Sequence, residues 1–266
     1  MKIALLQFRI ERDDPTANEQ RATNAIFDAA ERGAELLVLP ELWKVGYFAT
    51  EDYETAAEPL DGPTLSHIRQ LANDLGVAIL AGSIIEDLAQ SKDDTPAETG
   101  LANTSVLFNP SGIREATYRK HYLFGYGSEE ADLLTPGERL ETATIGDFTV
   151  GITTCYDLRF PELYRELLNL GVTLVLVPSA WPYPRVEHWK TLTAARALEN
   201  LFYVAAVNGT GPAGGDGLIG RSRVVDPWGV PVRTAGPDEE TLTVDLEPGR
   251  VRSVRDQFPS LRDRQS

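Results

Sequence analysis

The single cysteine of this 266-residue chain lies in the run Gly151-Ile-Thr-Thr-Cys155-Tyr-Asp-Leu-Arg-Phe-Pro161-Glu162. A thiol can attack an acyl carbon when a base, an oxyanion stabiliser and a dry pocket stand nearby. Residues 148–154 alternate apolar and small polar side chains, as a strand does. Residues 161–170 read as a helix, with Pro161 near the first helical position, leucines three to four apart and Gly171 as the stop. Cys155 is therefore expected at a strand-to-helix turn, at the carboxyl end of a strand. Open α/β sheets bind ligands at that edge. A sharp turn there also lifts a nucleophile out of the sheet and lends it free backbone N–H groups. A lone cysteine can instead be a small core hydrophobe, and the choice depends on its neighbours.

Two of those neighbours can be named from residue type and position. Glu41, in Leu-Val-Leu-Pro-Glu-Leu-Trp, places a carboxylate just beyond a buried strand, at the same sheet edge as Cys155. Flanked by Pro, Leu and Trp it would be partly desolvated and a better base, whereas a solvated or helix-capping acid is the plainer reading. Lys120 sits in Tyr-Arg-Lys-His-Tyr-Leu-Phe, between charged and aromatic residues. A lysine is usually a surface residue, and Lys120 is informative only together with Glu41 and Cys155. His67, His121 and His188 show no metal-ligand spacing, and His121 and His188 have no evident orienting carboxylate. With one cysteine, a zinc site is not expected.

The elements that must position these groups alternate. Strand-like runs cover 2–8, 35–39, 77–85, 104–108 and 113–118. Helical runs cover 18–32 and 65–75. After the helix 161–170 come an apolar strand at 172–178, a helix at 186–200 and a strand at 201–207. Further strand-like runs follow at 218–225, 230–234 and 241–246. Turn chemistry at Asn109-Pro-Ser-Gly112 and Asp226-Pro-Trp-Gly229 separates neighbours. Residues 91–100 form a solvated loop. The strand–helix–strand pass from residue 2 recurs from residue 148, which suggests one pseudo-symmetric α/β domain over 1–248. Residues 249–266 are Arg-rich, without a period of their own, and are expected to be a tail.

Bulk properties exclude several classes. The formal net charge of −15 argues against a nucleic-acid surface. No apolar run approaches a membrane span, and the first eight residues are too short for a signal segment. One cysteine makes no intrachain disulfide, so the cytoplasm is the natural compartment.

Pro40-Glu41-Leu-Trp, Arg119-Lys120-His-Tyr-Leu-Phe and Cys155-Tyr-Asp-Leu-Arg-Phe-Pro-Glu resemble, in that order, three blocks of the nitrilase superfamily of carbon–nitrogen hydrolases. The resemblance runs from residue 2 to about residue 246. It implies a four-layer α-β-β-α sandwich and a Glu–Lys–Cys triad of Glu41, Lys120 and Cys155. The family's second glutamate falls on Glu130, or in the adjacent register on Glu129. It further implies an oxyanion site at Lys120 and the backbone N–H of Tyr156, no metal or organic cofactor, and a homodimer or larger assembly. Lys120 beside Cys155 should favour the thiolate.

The residues after Cys155 resemble the amidase branches. Nitrilases proper usually have Trp-Glu there. Pro178-Ser-Ala-Trp181-Pro-Tyr-Pro-Arg185, His188-Trp189 and Ala195-Arg-Ala-Leu-Glu-Asn200 are similar to bacterial omega-amidases, which hydrolyse the terminal amide of 2-oxoglutaramate and 2-oxosuccinamate. Trp181 would wall a small pocket or pack in the core. Arg159, Arg185 and His188 are candidates to bind a substrate carboxylate, with Arg159 alternatively paired to Glu162 or Asp157. Phe124, in Phe124-Gly-Tyr-Gly127, is expected at the entrance. An N-carbamoyl amine or aliphatic amide hydrolase and a non-catalytic scaffold of the same fold are the rival functions.

Overall fold

The computed structural model describes residues 1–92, 94–212 and 217–264. Residue 93 of the loop 91–100 and the last two residues of the tail lie outside the described residues. Two large sheets stack face to face. In chain numbers the first runs 240–245, 2–7, 36–38, 78–80, 101–108, 84–87, with 114–119 also paired to 101–108. The second runs 231–234, 223–225, 203–208, 174–179, 148–152, 142–145.

Alternation along the strands builds the layers. Ile3, Leu5, Leu36 and Val38 point into a central core with Val150, Ile152, Leu174 and Leu176 of the other sheet. The intervening Ala4, Leu6 and Leu37 point outward, onto Ala22 and Ile26 of helix Pro15–Glu31 and Ile68 of helix Pro63–Leu75. Val175 and Val177 of the second sheet likewise meet Leu163 and Leu167 of helix Pro161–Asn169, and Trp189 and Ala197 of helix Val186–Asn200. Strands buried on both faces must be apolar throughout, which is why Leu174-Val-Leu-Val carries no polar alternation. The result is the α-β-β-α sandwich that the sequence resemblance implies.

Several boundaries differ from the sequence reading, among them the run 218–225, which is two short strands, Leu218–Ile219 and Arg223–Val225, in different sheets. Helix Pro15–Glu31 starts before residue 18, because Asp14 caps it by accepting the Ala17 amide and Pro15 takes the first turn. The run 77–85 is two strands, Ala78–Leu80 and Ile84–Asp87, separated by Gly82 at φ +64°. A side chain at Gly82 would collide with the Pro40 carbonyl oxygen, so the strand breaks where the Glu41 loop crosses it. The expected tail contains helix Pro248–Gln257. Only Val251 and Val254 are buried on it, too narrow a stripe to show as a period. Arg255 also fastens it, donating to the carbonyls of Leu201 (3.1 Å) and Val172 (3.2 Å). No described helix is long and apolar enough to cross a membrane.

Candidate active site

Four strand ends converge. Glu41 follows strand Leu36–Val38, and Lys120 follows strand Arg114–Arg119, both of the first sheet. Cys155 follows strand Phe148–Ile152, and Trp181 follows strand Leu174–Ser179, both of the second. The stacking of the sheets is what brings residues so distant in sequence to one place.

Lys120 is fully buried and lies between two buried carboxylates. Its Nζ is 2.9 Å from Glu41 Oε1 and 2.7 and 2.9 Å from the two oxygens of Glu130. Burial alone would lower the lysine pKa, but the charges of Glu130 and Glu41 outweigh it and hold the ammonium well above its ordinary range. An ammonium has three N–H donors. One meets Glu41 and one is shared by the Glu130 oxygens, which leaves a third for a ligand.

Each carboxylate is further fixed. Glu41 accepts from Asn103 Nδ2 (2.9 Å) and from the Ala180 amide (2.8 Å). Glu130 accepts from Tyr47 Oη (3.0 Å), the Phe124 amide (2.8 Å) and Asn103 Nδ2 (3.2 Å). Glu129, the alternative register, instead accepts from Thr50 Oγ1 at 2.5 Å on the surface.

Cys155 has φ +48°, a left-handed conformation that costs a non-glycine residue free energy and turns the side chain out of the strand direction. A short 3-10 turn, Cys155–Arg159, begins there. The amide of Tyr156 lies in its first turn, where amides lack a partner within the helix. Asp157 ties the turn down. It accepts from the Thr154 amide (2.8 Å), the Tyr122 amide (2.9 Å) and Tyr118 Oη (2.6 Å). Burial raises its carboxyl pKa to about 6 against the pull of these hydrogen bonds.

Lys120 does favour the thiolate, as expected, but other effects outweigh it. Burial, then the Glu41 charge, push Cys155 well above the ordinary thiol range, and the Lys120 ammonium only partly offsets them. Lys120 therefore does not make a resting thiolate. The thiol is held neutral, with the Glu41 charge among the causes.

A cavity of about 230 Å³ opens over Cys155, lined among others by Lys120, Tyr156, Phe124, Trp181, Arg159 and Arg185. Arg159 makes no ion pair with Glu162 or Asp157 among the described residues. The Asp157 oxygens are occupied by its three other donors, and Arg159 lies 5.2 Å over the Trp181 ring and 5.7 Å over the Tyr156 ring. Arg185 lies 5.6 Å over Phe124. His188 is not among the residues lining the cavity. Its Nδ1 is 3.1 Å from a terminal nitrogen of Arg159. A guanidinium can only donate, so His188 Nδ1 accepts and the ring positions Arg159.

Sequence reasoning missed Asn103, Tyr47 and Asp157. Asn103 had a signal: Asn103-Thr-Ser is a buried polar run in the otherwise apolar strand Leu101–Phe108. Buried polar groups usually have partners, and Asn103 Nδ2 donates to the two carboxylates around Lys120, while its Oδ1 has no partner among the described residues.

The carbon-nitrogen hydrolase family model matches residues 2–256. The chain is 36% identical to 2-oxoglutaramate amidase of Paenarthrobacter nicotinovorans over 238 residues, 88% of this chain and 79% of the relative. A CN-hydrolase superfamily protein of Xanthomonas campestris, solved with an arsenic adduct in its active site, superposes with a TM-score of 0.89 at 30% identity, covering 100% of this chain and 97% of the other. The amidase of Nesterenkonia sp. AN1, solved in one variant with acrylamide added at its active site cysteine, gives a TM-score of 0.81 at 30% identity over 98% of this chain and 99% of the other. Another variant of that amidase was solved with butyramide. By sequence along its length and by fold, this chain belongs to the carbon-nitrogen hydrolase family and is an enzyme acting on amides.

Proposed function

We propose that the protein releases ammonia from the terminal amide of a short carboxylated amide, with 2-oxoglutaramate or 2-oxosuccinamate as substrate, through a thioester on Cys155. The observation that carries the substrate class is the pair of guanidinium groups, Arg159 and Arg185, on the same cavity as the thiol. Neither has an ion-pair partner among the described residues, so each is free to meet a carboxylate.

The geometry supports the following reaction. The Glu41 carboxylate takes the Cys155 proton as Sγ attacks the amide carbon. The free N–H of Lys120 and the Tyr156 amide face the developing oxyanion, where a preorganised donor is worth most. As the tetrahedral intermediate collapses, Glu41 returns its proton to the nitrogen, the C–N bond breaks and ammonia leaves. Glu41 then takes a proton from water, which attacks the thioester carbonyl, and the thiol and the free acid are restored. Glu130 touches neither thiol nor substrate in this scheme. It balances and aims Lys120.

The relative from Paenarthrobacter nicotinovorans carries the activity name of this substrate. A neutral aliphatic amide is the second reading, favoured by the aromatic walls Phe48, Phe124, Tyr126 and Trp181. The deciding measurement is kcat/KM for 2-oxoglutaramate, glutamine and valeramide. The oxo acid should exceed valeramide by tenfold or more, because a cavity cation left unpaired costs on the order of 1–3 kcal/mol, and should exceed glutamine because the α-ammonium of glutamine is repelled by the two guanidinium groups. Equal or better turnover of valeramide sinks the carboxylated-amide reading and leaves an aliphatic amidase.

A further inference from the structure

On a chain with a formal net charge of −15, three cations converge away from the Cys155 cavity. Helix Val186–Asn200 begins there, beside strands Arg223–Val225 and Pro231–Thr234. Between them is a cavity of about 360 Å³ lined by Lys190, Arg221, Arg223, Glu187 and Thr234, among others.

Arg223 is only 4% exposed. One of its terminal nitrogens donates to the Lys190 carbonyl at 3.1 Å. Its Nε is buried without a hydrogen-bond partner, and among the described residues no carboxylate pairs with it. A buried charge is normally paired, because leaving it uncompensated is costly. Burial lowers the Arg223 pKa, and no neighbouring charge offsets that effect. Arg221 also has no ion pair among the described residues, and it holds φ +58°, a strained conformation for any residue with a Cβ. Lys190 pairs with Glu187 at 2.9 Å, one turn away on the helix surface. That contact engages the one carboxylate on the cavity wall and leaves both guanidinium groups uncompensated.

We infer that this cavity is a second anion site, separate from the Cys155 cavity, which takes a small molecule bearing an oxyanion group, phosphate or carboxylate. Guanidinium groups present paired N–H donors in the geometry such groups accept. The cavity is also next to the catalytic region. Trp189 Nε1 donates to the Arg221 carbonyl at 2.8 Å, and the Trp189 ring is 5.7 Å from that of Trp181 on the Cys155 cavity.

The test is a titration of the full-length protein with inorganic phosphate, followed by phosphorus NMR, and with acetate, followed by calorimetry. Saturable binding is expected, and the tighter of the two anions identifies the group recognised. Arg221→Asn removes one cation and tolerates the positive φ. It should weaken binding about tenfold or more, with amidase turnover in anion-free buffer unchanged. Arg223→Met should do the same. If that variant fails to fold, Arg221→Asn decides alone. Arg159→Met, which alters only the Cys155 cavity, should leave the affinity for phosphate unchanged. Absence of saturable binding of either anion overturns the inference. So does binding that survives Arg221→Asn but disappears in Arg159→Met.

Discussion

The carboxylate of Glu41, at a strand end of the first sheet, accepts the amide proton of Ala180, just past a strand of the second, at 2.8 Å. This bond spans the two sheets and sets the base against the sheet that carries Cys155. With Lys120 on its other oxygen, Glu41 has no rotational freedom left.

Glu41→Gln should separate two properties of the thiol. It removes the proton acceptor, so kcat should fall by about two to four orders of magnitude. It also removes a negative charge that holds the thiol pKa up. Iodoacetamide should therefore alkylate Cys155 faster at neutral pH in the variant than in the parent. In the parent, alkylation should be slow at neutral pH and quicken on the alkaline side. Fast alkylation of the parent at pH 6 would show a resting thiolate and contradict the neutral thiol.

Asp157 makes a prediction about stability. Its folded pKa is about 6, above an unfolded value near 3.9. The folded protein thus binds the proton more tightly. The associated stability is fully present below about pH 4 and is lost as pH rises through about 6. The loss is on the order of 3 kcal/mol. Asp157→Asn does not titrate. The stability of the parent relative to this variant should therefore fall by about that amount between pH 4 and 7.5, by urea denaturation at each pH. A difference that does not change with pH would refute the assignment.

The positions of Glu41 and Cys155 were legible because each follows a largely apolar strand whose end marks a sheet edge, whereas Lys120, after the polar strand Arg114–Arg119, was placed only by the resemblance of its motif. The two-sheet architecture followed from the repeated pass and from strands without polar alternation. The partners of Arg159 were not legible. Sequence proximity suggested Glu162 or Asp157, but the 3-10 turn directs Asp157 inward to Tyr118 and leaves Arg159 on the aromatic wall. The helix within 249–266 was hidden for another reason. Its anchoring uses an arginine on carbonyl groups, which a search for apolar periodicity does not detect.

The Gly82 crossing should be intolerant. Gly82→Ala introduces a Cβ at φ +64° against the Pro40 carbonyl. The Glu41 loop must then shift. Stability should drop by more than about 1 kcal/mol, and kcat should fall even where the variant folds, because a displaced base misses the thiol. A variant with parental melting temperature and kcat would show that the loop has slack.

The assembly is a separate expectation, that of a homodimer or larger. Leu170, Leu198 and Phe258 are about half exposed, an apolar cost that a partner would relieve. Light scattering should give at least twice the single-chain mass of 29.2 kDa. A clean single-chain mass at working concentration would count against it.

The last prediction concerns how the cavity selects. Arg159→Met keeps an unbranched apolar stem between Tyr156 and Trp181 but removes the cation. For 2-oxoglutaramate, kcat/KM should fall about 10- to 100-fold, mostly through KM, since the carboxylate contact is made in ground and transition states alike. For valeramide it should change little. His188→Leu should reproduce part of the effect, because Arg159 loses the acceptor that holds it. Arg185→Met tests the second cation in the same way. If all three variants leave the ratio of oxo acid to valeramide unchanged, the carboxylate is not read by these groups. The specificity would then rest on the aromatic walls alone.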